Sequence, residues 1–360
     1  MLFRSPRLRH VLALGPKSVV ITAGDSLVFP NGLSAYRVAT PFLYDAINIE
    51  GHSRLVRRLG GNLESTGFYS PASIGSLQVL GVTHVVTAVG QLPFGRLREV
   101  VPLPAASQKQ IVPGSAALYI QAIDRPHSCA SMTVTVGQTA AACAILVDSP
   151  VWLVPPTAEQ ITVSTKETVN LQIVEAPFAL RPNSHADGVT TWPVPASGGL
   201  RAVPTCASVS DITSLADAIS AGTLDPTAQI AVVGPCPDHE VGGAMVVAKD
   251  EQTSSRWSAP GSRVTVRSAR GGYVWRAVNS YPGWTARIDG KQVPLIKAFG
   301  TFQAVYVPPG NHVITFTFFP RTTILGGAVS ALTVVGCIAM WLLRRRSRPT
   351  GESSAAVAVT

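Results

Sequence analysis

The sequence predicts an α+β fold that is mostly β: a small α/β part, then antiparallel β-sandwich modules, then one carboxyl-terminal transmembrane helix. Three observations predict it. Proline (28) and glycine (31) punctuate the 360 residues while only 14% are charged, the composition of many short strands joined by turns. Apolar residues alternate with period two through Arg263 to Phe318, the mark of half-buried strands. Thr323 to Leu343 carries no charged residue, and at ~1.5 Å per residue roughly 21 residues reach about 30 Å, the thickness of a bilayer core. A buried core helix with a basic cap is the alternative for that stretch.

The amino end, Met1 to Lys17, is basic, and its apolar run from His10 to Leu14 is too short for a secretory signal. A large domain does not easily cross a membrane behind a lone carboxyl-terminal helix. The expectation is therefore the carboxyl-terminal part of a longer polytopic protein, or a split or mis-started version of one. Ser18 to Thr22 reads as a buried strand, followed by Gly24-Asp25-Ser26-Leu27. GDSL is the nucleophile block of a class of serine esterases, in the right strand–turn context for an exposed nucleophile. Asp124-Arg125-Pro126-His127 offers the matching DxxH spacing. Against that reading, Asp124 continues the strand Ala117 to Ile123, and no GxND block is present.

Next, Ser53 is placed to cap a short helix with Leu55, Val56 and Leu59 on one face and Gly60 as its stop. Pro71 to Leu80 reads as a second helix ended by Gly81, and Val82 to Val86 as a strand. Thr139 to Pro195 alternates like an antiparallel sandwich layer, with Asn183 to Gly188 as a loop. Ser210 caps an amphipathic helix whose Ile212, Leu215, Ala216 and Ile219 share one face, and Gly222 ends it. Between Arg263 and Phe318, Asp289-Gly290 is a two-residue hairpin signal and Pro308-Pro309-Gly310 turns the chain. The expected organisation is an α/β-like part at 1–125, a β-rich part at 126–255 with its helix at 210–222, and a small sandwich at 256–320. The transmembrane helix at 322–343 and a basic tail at 344–360 complete it.

Charge and cysteines bear on location. Arg344, Arg345, Arg346 and Arg348 follow the apolar stretch, so by the positive-inside rule they anchor the tail in the cytoplasm and leave the bulk extracytoplasmic. The formal net charge is +9, which suits anionic lipid headgroups or phosphate-bearing glycan carriers, or serves solubility alone. No aromatic-interleaved basic run points to nucleic acid. Cys337 reads as a small apolar filler in the helix. Of the three pairings open to the other four cysteines, sequence proximity favours Cys129–Cys143 and Cys206–Cys236; four buried thiols are the alternative. No CxxC occurs, and no metal or other cofactor is expected.

Tyr281-Pro282-Gly283-Trp284, Asp289-Gly290-Lys291 and Val307-Pro308-Pro309-Gly310-Asn311-His312, with Pro320 before the helix, resemble the carboxyl-terminal module of YfhO-type bacterial membrane proteins. Pro30-Asn31, Arg201-Ala202-Val203-Pro204 and Leu224-Asp225-Pro226 match the family's external region more loosely. The resemblance implies a relationship to GT-C glycosyltransferases, which transfer sugars from lipid-linked donors to envelope polymers. That family's catalytic acids lie between amino-terminal membrane helices that this sequence lacks, so no residue inherits a catalytic role. The resemblance implies a non-catalytic substrate-positioning or assembly module. Its partners would be membrane lipid, a polytopic glycosyltransferase core encoded upstream, and a glycan or lipid-linked sugar. The residues suited to a sugar face are Tyr281, Trp284 and Tyr306 with Asp289, Lys291 and Lys297; the competing reading makes Trp284 sandwich core and YPGW a packing turn. A structural or adhesion domain without sugar transfer is the alternative function, and a GDSL-like esterase the second.

Overall fold

The structure is a computed structural model and describes residues 11, 13–14, 20–22, 50–60, 71–88, 90–123, 128–146, 149–186, 188–239, 241–255, 258–319 and 321–346. Ser26, Asp124, His127 and Arg348 lie outside the described residues. The first part runs β1 (Val20–Thr22), α1 (Glu50–Arg58), α2 (Ile74–Val79) and β2 (His84–Ala88). Nine strands follow: β3 (Arg96–Leu103), β4 (Gln108–Ile111), β5 (Ala117–Ala122), β6 (Met132–Val136), β7 (Thr139–Ala140), β8 (Ala142–Leu146), β9 (Ser149–Val154), β10 (Ile161–Thr165) and β11 (Val169–Ala176). Then come β12 (Ser184–Ala186), β13 (Val189–Pro193), β14 (Leu200–Val203), β15 (Thr205–Val209), α3 (Ile212–Ser220) and β16 (Gln229–Val233). The last part is β17 (Met245–Ser255), β18 (Ser258–Ser268), β19 (Gly272–Asn279), β20 (Trp284–Ile288), β21 (Lys291–Val293), β22 (Ile296–Ala298), β23 (Phe302–Val307), β24 (Gly310–Phe318) and α4 (Arg321–Arg346).

The fold is mostly β with several antiparallel sheets, as its sequence predicts. Strands β3 to β11 make a two-sheet sandwich, β3-β11-β5-β9-β8 over β4-β10-β6-β7. Alternate residues point inward, so Ile120, Val134, Trp152, Val163 and Leu171 close one core between the sheets. A mixed six-stranded sheet, β14-β19-β23-β22-β16-β15, is buried on both faces. Along β19, Tyr273 and Trp275 enter a core shared with Leu55 of α1, Leu77 of α2 and Leu215 of α3. Val274, between them, points the other way, toward Ala286 and Phe316 of the five-stranded sheet β17-β18-β24-β20-β21. Helices, mixed sheet and antiparallel sheet are thus three stacked layers.

Several local features differ from expectation. Helix α1 starts at Glu50, which places Ser53 inside the helix and buried rather than at a cap. The cap of α3 is Asp211, whose carboxylate accepts from the Ser214 N–H at 2.8 Å. A carboxylate at the positive helix end outcompetes the neighbouring Ser210 hydroxyl, which sits 2.7 Å from Ser214 Oγ instead. Helix α2 is shorter than 71–80, and part of 183–188 is a strand, because Ser184–Ala186 pairs with Val189–Thr191 in a hairpin. The sheets do not divide at residue 125 or 255. One sandwich sheet joins β3 and β5 to β8, β9 and β11, and the mixed sheet joins β14 to β16 with β19, β22 and β23. Helix α4 contains 19 residues, Leu325–Leu343, long and apolar enough to cross a membrane, with none of that span buried against the rest of the described protein.

Candidate functional site

The motif residues gather on β20 to β24. Asp289 and Gly290 close the β20–β21 hairpin, both with positive φ (49° and 83°), as a two-residue turn of this type requires. The Asp289 carboxylate then crosses to β24. One oxygen accepts from the Val313 N–H at 2.9 Å and the other lies 2.7 Å from His312 Nδ1. His312 Nε2 lies 3.1 Å from the Pro309 carbonyl. Both ring nitrogens therefore face acceptors, and only the cationic ring donates from both. The hydrogen bond to Asp289 raises the His312 pKa above its ordinary value, and the same bond, with that from Val313, lowers Asp289. The DGK and PGNH motifs thus meet in one latch between the hairpin and the last strand.

At the opposite end of β20, the YPGW turn folds against the end of β24. Tyr281 packs edge-on against Trp284 and Phe318. Gly283 has φ +108°, and a Cβ there would lie 2.7 Å from the Phe318 ring and 3.0 Å from the Phe319 carbonyl. Trp284 is buried in the core between the mixed sheet and the five-stranded sheet, its indole under the Arg276 guanidinium at 4.4 Å. Arg276 itself is buried, bonded to Gln303 Oε1 and Ser262 Oγ and stacked over Phe316. Desolvated cation–aromatic contacts of this kind favour a guanidinium, whose flat face is weakly hydrated.

Tyr306 faces the other side of the mixed sheet. His239 stacks on it at 3.9 Å, and Tyr273 meets it edge-on. Burial and the neighbouring Tyr306 raise the Tyr273 pKa. The loop bearing His239 is held by the Cys206–Cys236 disulfide (Cα–Cα 6.0 Å) and by the Cys236 N–H on Ser208 Oγ. Cys129 and Cys143 form a second disulfide, also at a Cα–Cα distance of 6.0 Å.

The six residues proposed for a sugar face therefore do not share one surface. Tyr281 and Trp284 lie together at one end of β20, with Trp284 inside the core. Asp289 and Lys291 lie at the other end, Tyr306 is on the far side of another sheet, and Lys297 is exposed on β22. Period-two alternation put Trp284 on the inward face, and the sequence carried that signal. The His239–Tyr306 stack and the burial of Arg276 carried none, because both depend on contacts between distant segments.

Residues 245–330, from the start of β17 into α4, match the family described as "Bacterial membrane protein YfhO". No curated protein matches the chain. Among solved structures, the chain is similar to the arabinofuranosyltransferase AftD from mycobacteria, at 15% identity and a TM-score of 0.20. That alignment covers 65% of this chain and 14% of AftD, so the chain spans a small part of AftD's length. A similarity to DesR, a β-glucosidase from Streptomyces venezuelae, has 10% identity and a TM-score of 0.14, covering 87% of this chain and 53% of DesR.

Proposed function

With residues 245–330 a YfhO-type region, we propose that the chain is a membrane-anchored, extracytoplasmic, non-catalytic module of a glycosyltransferase system that uses lipid-linked sugars. It positions substrate or holds the assembly together. One observation carries the reading: the residues of the YfhO-type motifs are engaged in internal contacts. Asp289 is tied to His312 and Val313, and Trp284 sits in the core. An acid held by two partners and a buried indole build a scaffold rather than a reacting centre. Lys297 stays exposed and is free to meet the phosphate of a lipid-linked sugar. The two disulfides suit an oxidising space outside the cytoplasm.

The full chain in lipid nanodiscs, titrated with a polyprenyl-phosphate sugar, tests this. Saturable binding weakened by Lys297→Ala supports it, and no binding at millimolar ligand sinks it in favour of a structural or adhesion domain. Protease added to intact spheroplasts digests the bulk of an extracytoplasmic chain and spares a cytoplasmic one. Ser26→Ala leaves ester hydrolysis unchanged unless the esterase reading is correct.

A further inference from the structure

The end of the carboxyl-terminal sandwich nearest α4 is aromatic. Tyr281, Trp284 and Phe318 form a triangle with centroids 6.2, 5.2 and 5.2 Å apart. Phe319 follows, its N–H donating to the Gly283 carbonyl at 2.9 Å and its side chain 56% exposed. Tyr281 beside it is 37% exposed. The YPGW turn is therefore clasped to the last residues of the sandwich, and α4 begins at Arg321. Two Cα steps, at most about 8 Å, separate Phe319 from that helix.

A single exposed phenylalanine is ordinary. Its position here is not, because the uncharged stretch of α4 starts at Thr322. Two Cα steps and one residue of helical rise put Phe319 at most about 9 Å from that stretch, at the edge of a headgroup layer roughly 5–8 Å deep. That layer is where a tyrosine and an apolar ring pack together, ring inward and hydroxyl outward. The Asp289–His312 latch lies at the other end of the five-residue strand β20, about 13 Å away.

We infer that Tyr281 and Phe319 form a foot that seats the sandwich on the headgroup–acyl boundary of the bilayer crossed by α4. The foot fixes the angle between sheet and membrane and holds the Asp289–Gly290 hairpin away from it. This depends on α4 spanning the bilayer, and the test separates the two.

The full chain carries Cys337→Ser and one nitroxide in nanodiscs of phosphatidylcholine and phosphatidylglycerol. The label sits at Thr317→Cys beside the foot, Leu332→Cys in the span, or Lys291→Cys at the far end. Collision with oxygen against a water-soluble nickel chelate reports depth. The expected result is a lipid-like Leu332 site, an aqueous Lys291 site, and a Thr317 site with chelate access several-fold below that of Lys291. Adding Tyr281→Ser and Phe319→Ser raises chelate access at 317 to the level at 291, while hydrogen exchange at Val313 stays unchanged. If 317 matches 291 in the parent chain while 332 is lipid-like, the foot is refuted although the span stands. If 332 is aqueous, the spanning helix fails and the foot with it.

Discussion

Two glycines of the carboxyl-terminal module separate backbone strain from packing. Gly283 and Gly290 both have positive φ, 108° and 83°. Alanine at either position meets the penalty of the left-handed region, about 1–2 kcal/mol. Around Gly290 nothing lies within 4 Å of an added Cβ, whereas at Gly283 it meets the Phe318 ring at 2.7 Å and the Phe319 carbonyl at 3.0 Å. The carbonyl is backbone, and Phe318 is already packed against Tyr281 and Trp284, so neither yields freely. Overpacking adds about 1–3 kcal/mol. Gly283→Ala thus exceeds Gly290→Ala by about 2 kcal/mol, which is roughly 30-fold in an opening equilibrium. Hydrogen exchange of the full chain in nanodiscs reads it at the Phe319 amide, bonded to the Gly283 carbonyl. Acceleration at Phe319 confined to Gly283→Ala is the expected result. Equal effects of the two substitutions, or none at Gly283, refute the claim that YPGW carries its glycine to admit the end of β24.

The Asp289–His312 latch has a pH window. His312 is raised above 6.5, so its contribution is complete below that pH and fades as pH rises through the folded value. Asp289 is lowered below 3.8, so its contribution is complete above that pH and fades as pH falls through the folded value. The latch is therefore firmest between about 3.8 and 6.5, and Asp289→Asn moves the NMR titration of His312 down toward 6.5; an unmoved midpoint counts against the pair. Cys206→Ser with Cys236→Ser opens a crosslink spanning 30 residues, lowering stability by roughly 3–4 kcal/mol on loop entropy. Denaturant titration with and without reductant measures it, and the parent losing nothing on reduction would contradict the bond. Tyr119 is buried, with its hydroxyl donating to the Leu180 carbonyl at 3.2 Å and accepting from the Leu180 N–H at 2.7 Å. Tyr119→Phe strands both groups in the core and costs about 1–3 kcal/mol, read as a lowered denaturation midpoint; an unchanged midpoint would mean that water replaces the hydroxyl.

Local chemistry determined much of this protein from its residues alone. Asp289-Gly290 had to be a hairpin because few other pairs accept positive φ twice in succession, and it is one. The uncharged run from Thr323 had to be a helix unfit for a soluble surface, and α4 has no burial along its apolar span. The alternation of Trp284, Ala286 and Ile288 marked an inward face, and all three are buried. These features need only neighbours a few residues away. Tertiary structure alone decided what the motif residues do and which strands share a sheet. Tyr281 and Tyr306, which look alike in sequence, ended on different sides of the fold, because β19 and β23 are covered by helices on one face and by the last sheet on the other. The sheets join strands on both sides of residues 125 and 255 for the same reason: beyond the hairpins, a strand's hydrogen bonds go to whichever edge the folded layers bring beside it, as β5 beside β11 and β14 beside β19.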